Sequence, residues 1–106
     1  MPKYLVKGNY TTEGVAGLKK EGGTSRRDAV AKALSAVGGS IESFYYAFGD
    51  VDVYVVVELP DNAACAAFAL EVNAAGGVTL ETVVLLTPEE LDAGRGKESG
   101  YRAPGA

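Results

Sequence analysis

The sequence predicts an α+β domain built on one four-stranded antiparallel sheet. Three observations lead there. Four segments with strand patterning are spread over 106 residues, too few for two domains. The middle two are separated only by Gly49-Asp50, which imposes an antiparallel hairpin. The remaining gaps carry helical patterns, so the order reads β-α-β-β-α-β.

Each element has its own signal. Lys3–Thr11 alternates with Tyr4, Val6, Gly8 and Tyr10 on one side, the period of a half-buried strand. A helical piece from Thr12 to Glu21 is stopped by Gly22-Gly23. A second helix is expected to open at Ser25, with Asp28 three residues on as a capping-box variant. Ala29, Val30, Ala33, Leu34 and Val37 give it an apolar stripe, and Gly38-Gly39 end it. Ser40–Phe48 and Val51–Leu59 are the hairpin strands. Glycine first in a two-residue loop suits a type II′ turn, which would put Phe48 opposite Val51, Tyr46 opposite Val53 and Phe44 opposite Val55. These form the expected core face, together with Val57 and Leu59. Asp61 is placed to cap an Ala-rich helix, Asn62–Ala75, closed by Gly76-Gly77. Cys65 in that helix reads as a small buried hydrophobe beside Phe68 and Leu70. Val78–Thr87 is the fourth strand, and Thr87-Pro88-Glu89-Glu90 starts a short last helix with a capping box. Residues 1–92 form the expected domain. Residues 93–106 have too little apolar content to fold and read as a flexible tail.

This order is the split βαβ, ferredoxin-like arrangement, with strand order 4-1-3-2 and the helices on one face. The other face then shows Lys3, Leu5, Lys7 and Asn9, Ile41, Ser43, Tyr45 and Ala47, Asp52, Tyr54, Val56 and Glu58, and Thr79, Glu81, Val83 and Leu85. Half of these are apolar or Tyr, a patch on the order of several hundred Å² that soluble monomers rarely leave open. Burial against a second copy is expected, giving a homo-oligomer.

Composition narrows the chemistry. Apolar residues at 47% and charged residues at 23% describe an ordinary globular domain. A net charge of -4 argues against nucleic acid. No apolar run is long enough for a membrane span, and no signal-like start is present. One cysteine excludes an internal disulfide and fits a cytoplasmic location. With no histidine there is no Ser-His-Asp triad or histidine-ligated metal, and no glycine-rich phosphate loop occurs. No metal and no cofactor are expected. The charge is also uneven: residues 1–32 carry seven Lys/Arg and three acids, whereas residues 33–94 carry ten acids and no Lys/Arg. Such asymmetry either marks a binding surface or is neutralised by pairing between the two halves.

Two constellations are candidates for chemistry. Arg26 and Arg27 lie at a helix N-terminus, where cations oppose the dipole. Either they hold a small anion there, or Glu21 and Asp28 pair with them. On the open sheet face, antiparallel pairing brings Lys7 near Tyr54, Tyr54 opposite Tyr45, Asn9 near Asp52 and Glu81 near Lys7. A lysine among tyrosines and acids suits proton transfer or ligand binding. It equally suits the ion-paired centre of an interface.

"MPKYLVKGNYT", "KKEGGTSRRDAV", "FYYAFGDVDVYVVVELPDN" and "VVLLTPEEL" together resemble the GYD-domain family over roughly residues 2–92. Gly49 and Asp52 of the naming motif are present, but Val51 stands where a tyrosine is expected. The resemblance implies a ferredoxin-like oligomer related to the dimeric α/β barrels, and no assigned activity. Three functional readings follow: a homo-oligomeric cytoplasmic binding protein for a small anionic or aromatic ligand, a cofactor-independent isomerase or monooxygenase, and a scaffold subunit whose tail engages a partner.

Overall fold

Strand β1 (Lys3–Tyr10) lies inside the sheet, flanked by β3 (Val53–Glu58) and β4 (Val78–Leu85), with β2 (Ser40–Tyr46) outside β3. The computed structural model describes residues 1–106, and every neighbouring strand pair in it is antiparallel. The order β2-β3-β1-β4 is the ferredoxin-like order the sequence predicts. Four helices complete the chain: α1 (Thr12–Glu21), α2 (Gly23–Ala36), α3 (Asn62–Ala75) and α4 (Pro88–Arg95). None is long and apolar enough to cross a membrane.

The core forms where α2 and α3 cover one sheet face. Tyr4, Val6, Val53, Val55 and Val57 project from β1 and β3 against Leu34 of α2 and Cys65 and Phe68 of α3, and Leu59 closes the same cluster. Leu34, Val57 and Leu59 are completely excluded from water. Removing a side chain such as Leu34 would cost about 2–5 kcal/mol. Cys65 is the buried residue expected, whereas Leu70 on the same helix faces solvent.

The helix ends follow local chemistry. Asp61 accepts from the Ala64 N–H at 2.9 Å, and Thr87 and Glu90 form a reciprocal capping box. At the end of α2, the Gly39 N–H bonds the Leu34 carbonyl and the Gly38 N–H that of Ser35, with Gly38 at φ 83°. That is a Schellman closure, which favours glycine at the left-handed position. At Gly14, a Cβ would sit 1.8 Å from the Gly77 carbonyl oxygen. Only glycine lets the first turn of α1 lie against the α3–β4 loop, where the Thr11 N–H also bonds the Gly77 carbonyl at 3.0 Å.

Several expectations are corrected. Helix α2 opens at Gly23 rather than Ser25, and its N-cap, Gly22, offers no side chain to the free N–H groups. The Tyr46 ring occupies the space a Cβ at Gly23 would need, and its hydroxyl donates to the Gly23 carbonyl at 3.0 Å. That contact brings the chain into helical geometry two residues early. The β2–β3 connection is not a two-residue type II′ turn, because Gly49 has no positive φ. The Ala47 N–H donates to the Asp52 carbonyl and Phe48–Val51 form a wider loop, so Phe48 is fully exposed instead of joining the core face. Tyr46 opposite Val53 and Phe44 opposite Val55 do pair as expected. A bulge at Glu42 shifts the β2 register, because Ile41 pairs with Val57 and Ser43 with Val56. Ile41 therefore packs on the core and Glu42 takes its place beside the open face. Ala29 is exposed, outside the stripe formed by Val30, Ala33, Leu34 and Val37. Helix α4 ends at Arg95.

Candidate functional site

Of the expected open-face cluster, strand pairing brings Lys7, Tyr45, Tyr54 and Glu81 together and leaves Asp52 apart. Lys7 lies opposite Tyr54 on one side and Glu81 on the other, and Tyr54 lies opposite Tyr45. The Lys7 ammonium is 3.7 Å from the Glu81 carboxylate, which is largely exposed. Tyr45 is 70% and Tyr54 38% exposed. Asp52 serves the backbone: its carboxylate accepts the Tyr10 N–H at 2.9 Å, and its own N–H reaches the Gly8 carbonyl and the Asn9 side-chain oxygen. It clasps the β2–β3 loop to the end of β1 and does not face Lys7. Lys3 stands between Glu42, at 2.6 Å, and Glu58, at 3.7 Å. The hydrogen bond with Glu42 is the main reason its ammonium pKa is raised. Three of the five ion pairs thus join the basic front of the chain to its acidic remainder.

Arg26 and Arg27 part company. Consecutive residues on a helix point about 100° apart. Arg27 turns outward and pairs with Asp28 at 3.2 Å. Arg26 turns toward the sheet, held loosely by Glu21 at 3.5 Å, and borders a cavity that the sequence does not announce.

That cavity exists because α2 and α3 do not pack closely on one another; α2 contacts α1 and β2, while α3 contacts β4. Between the two helices and the sheet runs an apolar slot of about 60 Å³, room for roughly two waters at liquid density. Val30, Phe44, Val55, Phe68, Val72 and Leu80 are among its walls, and Arg26 is its one charged lining residue. Outside it lies a vestibule of about 240 Å³ between Ala33, Glu71 and Ala75. Arg26, Phe68, Val72 and Val78 line both spaces. Tyr10 also lines the slot, and burial first, then the neighbouring Tyr46, push its hydroxyl pKa up to about 12, with Arg26 acting the other way. The phenol is therefore neutral at physiological pH, beside a permanent cation. No group of three or more His, Cys, Asp or Glu that could hold a metal ion occurs in the chain.

Tyr10, Phe68 and Val72 were not singled out from the sequence. Their one signal is that Tyr10 alternates onto the core face while alanines thin the facing helices. The open volume depends on how two helices sit over a twisted sheet, which no local pattern encodes.

The fold and this site define a small ferredoxin-like α+β domain with an open sheet face and a recess under its helices. The chain belongs to the GYD domain family, whose model matches residues 4–93. No curated protein matches the chain. Asp52 of the naming motif has the structural role described above, and Val51, where a tyrosine is expected, lies half-buried in the β2–β3 loop.

Proposed function

We propose that this GYD-domain protein binds a small carboxylate with an apolar or aromatic body, in the recess between α2, α3 and the sheet. One observation carries the reading: an apolar slot entered past a single cation, Arg26. Apolar walls with few polar groups are the common composition of small-ligand sites. The hydrocarbon part would enter from the vestibule, and the carboxylate would stay at Arg26, within reach of a neutral tyrosine hydroxyl. A charge-assisted hydrogen bond is worth about 1.5–3 kcal/mol, so it outweighs the loose Glu21 pair, whose exposed geometry is worth about 0–1 kcal/mol.

The experiment is a titration of isotope-labelled protein with benzoate and octanoate against neutral benzyl alcohol and octanol. The carboxylates should shift amide signals of Arg26, Phe68 and Val72. Arg26→Gln should weaken them by about 10–100-fold, the worth of one charged hydrogen bond, and leave the alcohols unchanged. Equal binding of acids and alcohols, or shifts confined to the sheet's other face, would refute the reading.

The same proposal takes the working form to be a homo-oligomer joined through the open sheet face. Exposed Tyr45, Tyr54 and Val83 and half-buried Leu5, Val56 and Leu85 form an apolar patch there. Tyr54→Lys combined with Val56→Glu should yield smaller species in sedimentation velocity. A monomeric wild type at micromolar concentration would refute this part.

A further inference from the structure

We infer that the C-terminal arm, α4 with the segment after it, docks on the open sheet face of a second copy of this chain. The inference rests on the self-association proposed above and adds what the arm does in it. Every residue from Leu86 to Ala106 is exposed, and the side-chain hydrogen bonds of Thr87–Ala106 stay within that segment. None of the five ion pairs reaches it. Leu86, Leu91 and Tyr101 are each more than 60% exposed. The molecule is correspondingly long, 56 × 32 × 22 Å, with a radius of gyration of 16.8 Å against about 13 Å for a compact chain of 100 residues.

An eight-residue helix held only by its caps is marginal in water, since isolated helices need about 12–15 residues even with favourable sequences. Yet this one has a complete capping box and carries apolar residues that its own chain leaves open. Such a helix is specified to be formed, and a formed helix of this length needs a surface to pack on.

Charge selects that surface. After Lys32 the only cations in the chain are Arg95, Lys97 and Arg102, which the end of the arm sets against one acid, Glu98, whereas the start of α4 carries Glu89, Glu90 and Asp92. The open face carries Glu42, Glu58 and Glu81 against Lys3 and Lys7, and two of those glutamates share Lys3. An uncommitted negative charge therefore remains beside apolar Val56, Val83 and Leu85. The root of α4 borders that face: Lys3, Val56, Leu85 and Glu90 line one hollow of about 370 Å³. An arm that leaves its own sheet at this rim lies beside whatever covers the face, so in a two-fold pair each arm reaches across the other subunit. The end of the arm is basic, a net of +2 over Arg95–Ala106, and the face is acidic and apolar.

The test uses the full-length chain with a photoreactive phenylalanine analogue in place of Tyr101, mixed as light and heavy isotope forms, irradiated, and mapped by mass spectrometry. Mixed-isotope cross-links from position 101 into residues 40–58 or 78–85 are expected. In parallel, Arg95→Glu, Lys97→Glu and Arg102→Glu together should weaken association about tenfold at low salt, the worth of a few surface ion pairs. Sedimentation of the wild type separates the ways of failing. A monomer overturns self-association and the arm together. A dimer whose cross-links are all same-isotope, or fall on α2 and α3, overturns the arm alone.

Discussion

Val72→Leu turns the recess between α2 and α3 into a question of sign. Val72 lines both the slot and its vestibule, and leucine adds one methylene pointing into that space. In a well-packed core the extra group forces neighbours off their rotamers and costs about 1–3 kcal/mol. Here about 60 Å³ stands open, and at about 24 cal/mol per Å³ that void already costs the fold on the order of 1.4 kcal/mol. A methylene moved from water into it contributes about 0.8 kcal/mol, and leucine's better helix propensity in α3 adds a few tenths. The expected outcome is a stabilisation of about 1 kcal/mol, or roughly 4–8 °C in melting temperature for a domain of this size. Differential scanning calorimetry reads it, with urea unfolding as a check at fixed temperature. The variant should also bind benzoate more weakly, because the ligand's space has been partly used. A melting temperature lowered by several degrees would show that the slot holds no spare volume, and the ligand argument built on it would go too.

Three further outcomes follow from the geometry. Tyr10, with its pKa pushed up to about 12 from 10, favours folding below pH 10, a contribution lost as pH rises from 10 toward 12; tyrosinate absorbance should show a late-ionising group that Tyr10→Phe removes, and an unchanged titration would contradict the assignment. Asp52→Ala should cost about 1–3 kcal/mol in urea unfolding by stranding the Tyr10 N–H, while Asp52→Asn keeps an acceptor and should cost less; equal losses would mean that the charge matters and not the hydrogen bond. Lys7→Met should cost less than about 1 kcal/mol at high dilution, since its partner Glu81 is largely exposed. The cost should grow with protein concentration where a second copy covers the pair, and a loss independent of concentration would argue against that cover.

The fold was legible in the sequence because its signals are local and agree with one another. The alternation of Tyr4, Val6 and Gly8, the Asp61 and Thr87 caps, and the glycine pairs after the first three helices mark the elements and their order, and the topology follows from that order. The errors fall where a tertiary contact overrides a local signal. Ser25 and Asp28 look like a capping box, yet the Tyr46 ring over Gly23 starts α2 earlier. Gly49-Asp50 looks like a tight turn, yet the last pair joins Ala47 and Asp52. The bulge at Glu42 left no trace in the pattern, and by moving Ile41 inward it turns one open-face position from apolar to acidic. The cluster of Lys7, Tyr45 and Tyr54 was readable because strand pairing fixes cross-strand neighbours. Arg26 was readable as an unusual cation, but what it faces depends on the spacing of two helices distant in sequence.

The two halves of the candidate chemistry lie on opposite faces of one sheet, and that bears on how each reading is weighed. The open face offers tyrosines and a lysine that is already paired, with no cavity among them in the single chain. Residues of this kind suit contact with a flat partner, where an aromatic ring is buried and its hydroxyl keeps a hydrogen bond. The helix face offers enclosed volume, an apolar lining and a cation whose present partner sits at 3.5 Å. In the proposed binding, a guanidinium held that loosely would exchange Glu21 for a ligand carboxylate at little cost. An interface that used the helix face would close the vestibule; one that uses the sheet face leaves it open to solvent. Association through the sheet and binding beneath the helices are therefore compatible in one assembly, and Arg26→Gln and Tyr54→Lys should each remove one property and spare the other.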